Sequence, residues 1–346
     1  MEPASPYRIA WQQPPPVNVR ASNRVAVLEA LEHGFPTSRR CLQTRTGLCP
    51  LTLRRACRQL IREGVATLKY GQDPETGIAC DLVTPASYPV LPILDISEAR
   101  MTWRLCTTCG ESVFAATQER GPFRSFEDDL ELLMGRVTSI LRAGTCHLPA
   151  RIPLQAPVLL CATPNDRILK TVERVLEVPP QMVLTPTEAA AQEIHYLPIA
   201  HTAGCVLHLA TGPSATATFL VRRTLNDPES PLVPLPYVTD MSNRLCLALA
   251  RIPRHSPAYT EGVLHFLQSA CRSVTPDCLI LEHDFLHDPA RSLSALLPQT
   301  TALHCIPLAH NTPPLSHRGA LRLSRRALWD SMISEPLPAE AMTRAR

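Results

Sequence analysis

No stretch of this sequence stays apolar for the roughly 20 residues that a membrane-spanning helix needs, so no membrane partner is expected. No apolar segment opens the chain, so no secretory signal is expected and the cytoplasm is the expected location. The formal net charge is only +3 over 346 residues. A balance that close to zero says little about partners; its distribution along the chain says more. A disulfide framework is missing too: the thirteen cysteines are odd in number and scattered, as reduced, buried thiols would be. The single C-x-x-C, Cys106 to Cys109, has no second pair at ribbon spacing, and Cys146-His147 has no identifiable co-ligands. It also lies on an expected hairpin, not at the strand-to-helix junction of a redox motif. No metal and no cofactor is therefore expected.

What is present is enough apolar material, 45% of residues, to fold two or three domains. The thirty-five prolines cluster as punctuation between elements. Charge is unevenly placed. Between Arg20 and Gln72 stand ten Arg or Lys against three acids, a local net of +7, which leaves the rest of the chain near −4. A basic module on a mildly acidic body suggests a local polyanion-binding surface.

That module centres on TSRRCLQTRTGLCPLTLRRACRQLIREG, residues 37–64. Residues 1–19 are Pro-rich and polar and read as an arm. Asn23 is placed to cap a first helix that ends before Gly34. Ser38 starts a second helix, ending near Gly47. Pro50 suits the first turn of a third, stopped by Gly64. On that third helix Leu53, Ala56, Cys57, Leu60 and Ile61 recur at helical spacing and face a core. Thr52, Arg54, Arg55 and Arg58 lie away from it. Such a face suits a DNA major groove, where Arg pairs with guanine edges or phosphates. Ser38, Arg39, Arg40 and Lys69 complete the candidate DNA contacts. Residues 65–70 and 78–84 read as two strands with a turn-rich tip, a wing whose Asp73 and Glu75 make it a poor phosphate clamp. Residues 20–85 thus form an expected winged helix-turn-helix, followed by a linker over 85–92.

From residue 90 the pattern is three strands (90–96, 101–107 and 112–118), then helices (126–143, 166–176 and 187–195) alternating with short strands (157–162 and 182–184). It then partly repeats from residue 204, with helices over 243–249, 259–274, 289–297 and 318–332 and strands over 278–282 and 302–307. Two such halves imply an α/β protein with two facing lobes, 90–200 and 201–335, and a tail over 336–346.

A basic winged helix ahead of two such lobes resembles the ROK family of sugar-responsive repressors and sugar kinases, which have an actin-like (ribonuclease H-like) fold. The segment NRVAVLEALEHGFPTSRRCLQTRTGLCPLTLRRACRQLIREGVA follows the family's repressor pattern closely. The body departs from the family wherever chemistry is expected. The first phosphate loop of the family resembles D-I-G-G-T; here it reads Asp95-Ile96-Ser97-Glu98-Ala99. Its catalytic segment resembles N-D-A-N-A-A-A; the triple alanine of Thr185-Pro186-Thr187-Glu188-Ala189-Ala190-Ala191 puts Pro186 where the base belongs. Its second phosphate loop keeps only Thr211 and Gly212. Its later glycine-rich segment corresponds to Leu281-Glu282-His283-Asp284-Phe285, and the family's zinc run is absent. ATP binding needs both glycine loops and phosphoryl transfer needs a base.

The resemblance therefore implies a transcriptional regulator, a repressor by its head. The catalytically inactive body would serve dimerisation and effector sensing, with Asp95, Glu188, Thr211 and Gly212 around the effector cleft. Expected partners are double-stranded DNA, a second copy of the chain and an unidentified small molecule. Two other classes stay open: an ATP-dependent sugar kinase with a DNA-binding head, and a protein-interaction scaffold whose winged helix binds protein.

Overall fold

The computed structural model describes residues 19–32, 36–73, 76–86, 90–108, 110–121, 123–143, 156–200, 202–210, 216–223, 230, 232–235, 252, 256–283, 301–307 and 313–334. The chain divides into two compact units, Met1–Pro85 with Trp329–Arg346, and Ala86–Leu328.

In the first unit three helices precede a hairpin. α1 spans Val19–Glu32, α2 Arg39–Thr46 and α3 Pro50–Arg62. α1 starts four residues before Asn23, which sits inside it and caps nothing; after Pro16 no residue in the run breaks a helix. Ser38 caps α2, its Oγ accepting from the Cys41 N–H at 3.2 Å, and Gly47 closes it at φ 66°. Pro50 takes the first position of α3. The three helices bury Val27, Leu28 and Leu31, Cys41 and Leu42, and Leu53, Ala56, Cys57 and Leu60. Ile61, expected in that core, is only half-buried. The hairpin is β2 (Ala66–Gln72) and β3 (Ala79–Pro85), antiparallel, with Ala66 opposite Pro85 and Gln72 opposite Ala79. A two-residue strand, β1 (Thr37–Ser38), adds to β3 and gives the order β1-β3-β2.

The body contains two five-stranded sheets built the same way. The first comprises β4 (Leu91–Ile96), β5 (Arg100–Cys106), β6 (Ser112–Glu119), β7 (Val158–Cys161) and β8 (Met182–Leu184), in the order β6-β5-β4-β7-β8. The second comprises β9 (Cys205–Ala210), β10 (Thr216–Arg222), β11 (Leu232–Pro234), β12 (Cys278–His283) and β13 (Ala302–Pro307), in the order β11-β10-β9-β12-β13. In each, the first three strands form an antiparallel meander. The fourth then lies parallel to the first, and the fifth parallel to the fourth. The expected repeat is thus a repeat of topology, in an α/β body with mixed sheets. Pro85, placed in a linker by its type, ends β3, and Pro92, where the expected linker and strand overlap, is the second residue of β4.

α4 (Phe126–Arg142) and α5 (Asp166–Leu176) cover one face of the first sheet, burying Leu130, Leu133, Val137 and Val172 against Leu94, Ile96, Trp103 and Leu159. α4 opens with a capping box between Ser125 and Asp128. α7 (Pro257–Val274) covers one face of the second sheet, through Val263, Leu267 and Cys271. The two remaining helices among the described residues cross over. α6 (Pro186–Ile194) follows the first sheet in the chain but buries Ala190, Ala191 and Ile194 with Val206, Leu220 and Ile280 of the second. α8 (Leu315–Ser334) follows the second sheet but bonds to groups of the first. A boundary at residues 200 and 201 separates the sheets, not the helices that tie them together. The helices expected over 243–249 and 289–297 lie outside the described residues.

Candidate nucleic-acid interface and cleft

The apolar seam of α3 decides which side chains are left for a partner. With Leu53, Ala56, Cys57 and Leu60 turned inward, the opposite face presents Arg54, Arg55, Arg58 and Arg62, all exposed. At 3.6 residues per turn these four fall within about 100° of one another. Arg62 extends the face that sequence reading ended at Arg58; its Nη2 donates to Gln59 Oε1 at 2.6 Å. Glu63, the acid nearest this face, is turned aside: Arg24 of α1 pairs with it and Gln59 donates to it at 2.7 Å. Arg54, Arg55 and Arg58 have no ion pair within the chain among the described residues. Four cations so close would repel one another in a folded surface that had no anion to meet.

The other expected contacts separate into two sets. Arg40 on α2 and Lys69 on β2 are exposed, and Arg39 is half-buried. Ser38 is buried, and its hydroxyl accepts the capping bond, so it belongs to the fold of α2 and leaves the candidate interface. Thr52 is half-buried, its hydroxyl 3.1 Å from Cys49 Sγ. That contact, with the backbone N–H of Thr52 and more weakly the charge of Arg55, holds the exposed Cys49 thiol below its ordinary pKa. Burial instead pushes the thiols of Cys106, Cys205 and Cys278 up to about 11. The thiolate is the nucleophile. Iodoacetamide at pH 7 is therefore expected to label Cys49 well before those three, as read by peptide mass spectrometry. Equal labelling would contradict this ordering.

In the body, each carboxylate expected near a ligand is held by the chain itself. Asp95, half-buried at the end of β4, meets His317 of α8, with Nε2 and Oδ2 2.9 Å apart. His317 is 2% exposed, and among the described residues its Nδ1 finds no partner and Asp95 is its one polar anchor. Glu188 closes a capping box at the start of α6: it accepts from the Thr185 N–H at 2.9 Å while Thr185 Oγ1 accepts from the Glu188 N–H at 3.1 Å. Thr185-Pro-Thr-Glu188 carries the spacing of that box, which is the signal that would have placed Glu188. Glu282, in the expected glycine-rich segment, is buried against His208 at 2.6 Å and accepts from the Leu315 N–H at 2.9 Å. Thr211 and Gly212 lie outside the described residues, as do Cys109, Cys146 and His147.

Around the crossing of α6 and α8 sits an ionic cluster with no sequence signal. Glu193, buried on α6, receives Arg318 at 2.8 Å and Arg322 at 3.0 Å, both from α8. Arg322 also lies over the Tyr196 ring at 4.0 Å. Further along α8, Arg325 donates to the Thr108 carbonyl at 3.0 Å and Ser324 to Gln181 at 2.8 Å. Replacing Asp95 with Ala would strand the His317 imidazole in the interior. We expect the body to lose about 2 kcal/mol of stability, the cost of orphaning a buried polar group, in urea unfolding followed by circular dichroism. Asp95→Asn, which can still bond the ring, should lose less. No loss in either would mean that the pair contributes nothing.

No protein-family model and no curated protein matches the sequence. Solved structures do match. One is a ROK family transcriptional regulator, a homologue of the E. coli Mlc protein: TM-score 0.52, 11% identity, over 91% of this chain and 98% of that one. This chain shares the fold of a ROK family protein. Others are an inorganic polyphosphate/ATP-glucomannokinase from Arthrobacter sp. strain KM (TM-score 0.46, 16% identity, 70% of this chain and 99% of that one) and a ROK hexokinase from Thermus thermophilus (TM-score 0.40, 14% identity, 69% and 100%). At such identities the likeness is one of fold. The choice between regulator and kinase therefore turns on this chain's own side chains.

Proposed function

We propose that this chain is a DNA-binding transcriptional regulator of the ROK type. Its first unit acts as a winged helix-turn-helix, with α3 as recognition helix and β2–β3 as wing. The observation that carries this is the outward face of α3, where Arg54, Arg55 and Arg58 are exposed and, among the described residues, without an ion pair, opposite a buried apolar seam. Arg54 and Arg55 read base edges, Arg58 and Arg62 reach base edges or phosphates, and Arg39, Arg40 and Lys69 hold the backbone.

The body is a non-catalytic support. Asp95, Glu188 and Glu282 are each committed to an internal bond, and Pro186 stands where the resemblance puts the catalytic base. A kinase needs a free carboxylate there to accept the sugar hydroxyl proton. Incubation with ATP and hexoses should accordingly yield no sugar phosphate.

The deciding experiment is selection of the purified protein against a genomic DNA library at two salt concentrations, followed by sequencing. A recurring inverted repeat, bound less tightly at high salt as counterion release requires, is the expected result. No enrichment at either salt would overturn the reading in favour of a module that binds protein.

A further inference from the structure

The regulator reading calls for two copies of the chain but assigns no surface that joins them. The outward face of α4 carries Asp128, Glu131, Leu132, Gly135, Ser139 and Arg142, all exposed. Leu132 is 45% exposed, and Glu131 and Arg142 have no partner among the described residues. Gly135 lies mid-helix, where glycine is among the poorest formers. Its φ is not positive, and a Cβ added there would meet nothing within 4 Å. Neither the local backbone nor packing within the chain calls for a glycine at this position. What a bare backbone on an exposed helix face permits is the close approach of another helix.

The charges around Gly135 say which helix. Asp128 stands seven residues before it and Arg142 seven after; Glu131 stands four before and Ser139 four after. When such a helix meets its own copy antiparallel, crossing at Gly135, each Asp128 faces the partner's Arg142 and each Glu131 faces the partner's Ser139. The pattern is thus its own complement under a two-fold axis, which an isologous interface requires. We propose that α4 is a homodimer contact, crossing its two-fold mate at Gly135, with the two Leu132 side chains flanking the crossing and each Arg142 pairing with the partner copy's Asp128 carboxylate, whose Oδ2 also accepts the Ser125 N–H of the capping box at 3.1 Å. One helix pair buries little, so the dimer is weak in solution, with a Kd of about micromolar order, and gains from two adjacent DNA half-sites.

This inference rests on the regulator reading only for its purpose; its test needs no DNA. Sedimentation velocity of the full chain over a concentration series should show a monomer–dimer equilibrium. Gly135→Leu fills the crossing point and should raise the dimer Kd at least about tenfold, with the melting temperature unchanged or higher. Arg142→Asp should weaken the dimer as well, and added salt should weaken the wild type but not Arg142→Asp. A wild type that stays monomeric, or a dimer that persists equally in both variants, would overturn the assignment. If those variants remain dimeric while the library selection succeeds, this face fails and the regulator reading stands. If they dissociate while the selection returns no operator, the converse holds.

Discussion

Replacing Arg54 and Arg55 with Ala is expected to abolish operator recognition while the first unit stays folded. The guanidinium groups of Arg54 and Arg55 point away from the core formed by Leu53, Ala56, Cys57 and Leu60 and make no ion pair within the chain among the described residues. Helix stability therefore hardly depends on them, and Ala is at least as good a helix former. On DNA the balance reverses. A bidentate pair between Arg and a guanine edge is worth about 1–3 kcal/mol of discrimination, roughly five- to 150-fold in Kd for each residue. Both substitutions together should bring specific affinity near the non-specific level. Arg40→Ala serves as contrast, because removing a cation that meets phosphate weakens binding to all sequences alike and reduces the salt slope by about one. Titrations against the selected operator and a scrambled duplex, each at two salts, separate the two kinds of residue. Unchanged discrimination in the double variant, with an intact circular dichroism spectrum, would remove α3 as the reading helix.

Much of the architecture behind that prediction was legible in the sequence, because it rests on local signals. Period-two runs and turn residues placed β8 and β13 within their observed bounds, and helical spacing did the same for α5. Gly47 and Pro50 bounded α2 and α3 through backbone conformations that few other residues supply. Errors arose where a local signal had two readings. Asn23 can cap a helix or sit within one, and here it sits within α1. Pro85 can mark a linker or a strand end, and here it ends β3. β1, with two residues, has too little length for any pattern. The candidate cleft was the least legible part. His317 and Asp95 are 222 residues apart, and the four side chains that gather at Glu193, Tyr196, Arg318 and Arg322 belong to two runs over a hundred residues apart. Nothing within a run indicates that α6 packs on the second sheet or that α8 bonds to residues of the first. That crossing is a property of the assembled topology, in which a helix buries its apolar face on whichever sheet lies uncovered.

Gly319 is where that crossing is most exposed to test. A Cβ built on it would lie 1.7 Å from the Ala189 carbonyl oxygen and 2.7 Å from its carbon, well inside contact distance. The atoms in the way are backbone atoms of α6, and α6 cannot yield easily. Its start is fixed by the Thr185–Glu188 capping box, and Ala190, Ala191 and Ile194 are buried against the second sheet. Gly319→Ala must therefore displace α8. Displacement stretches the bonds on either side, His317 to Asp95 and Arg318 and Arg322 to Glu193. Each would leave a buried or half-buried polar group short of its partner. We expect the body to lose about 3 kcal/mol, at the upper end of overpacking costs, and its melting temperature to fall by roughly 6–12 °C for a unit of this size. Gly135→Ala, on the open face of α4, should change stability in the opposite direction, gaining about 0.5–1 kcal/mol from helix propensity alone. Thermal and urea melts of the two variants side by side make the comparison. Should Gly319→Ala melt with the wild type, α8 would be free to withdraw from α6, and the His317 bond that occupies Asp95 would no longer count against a ligand in the cleft.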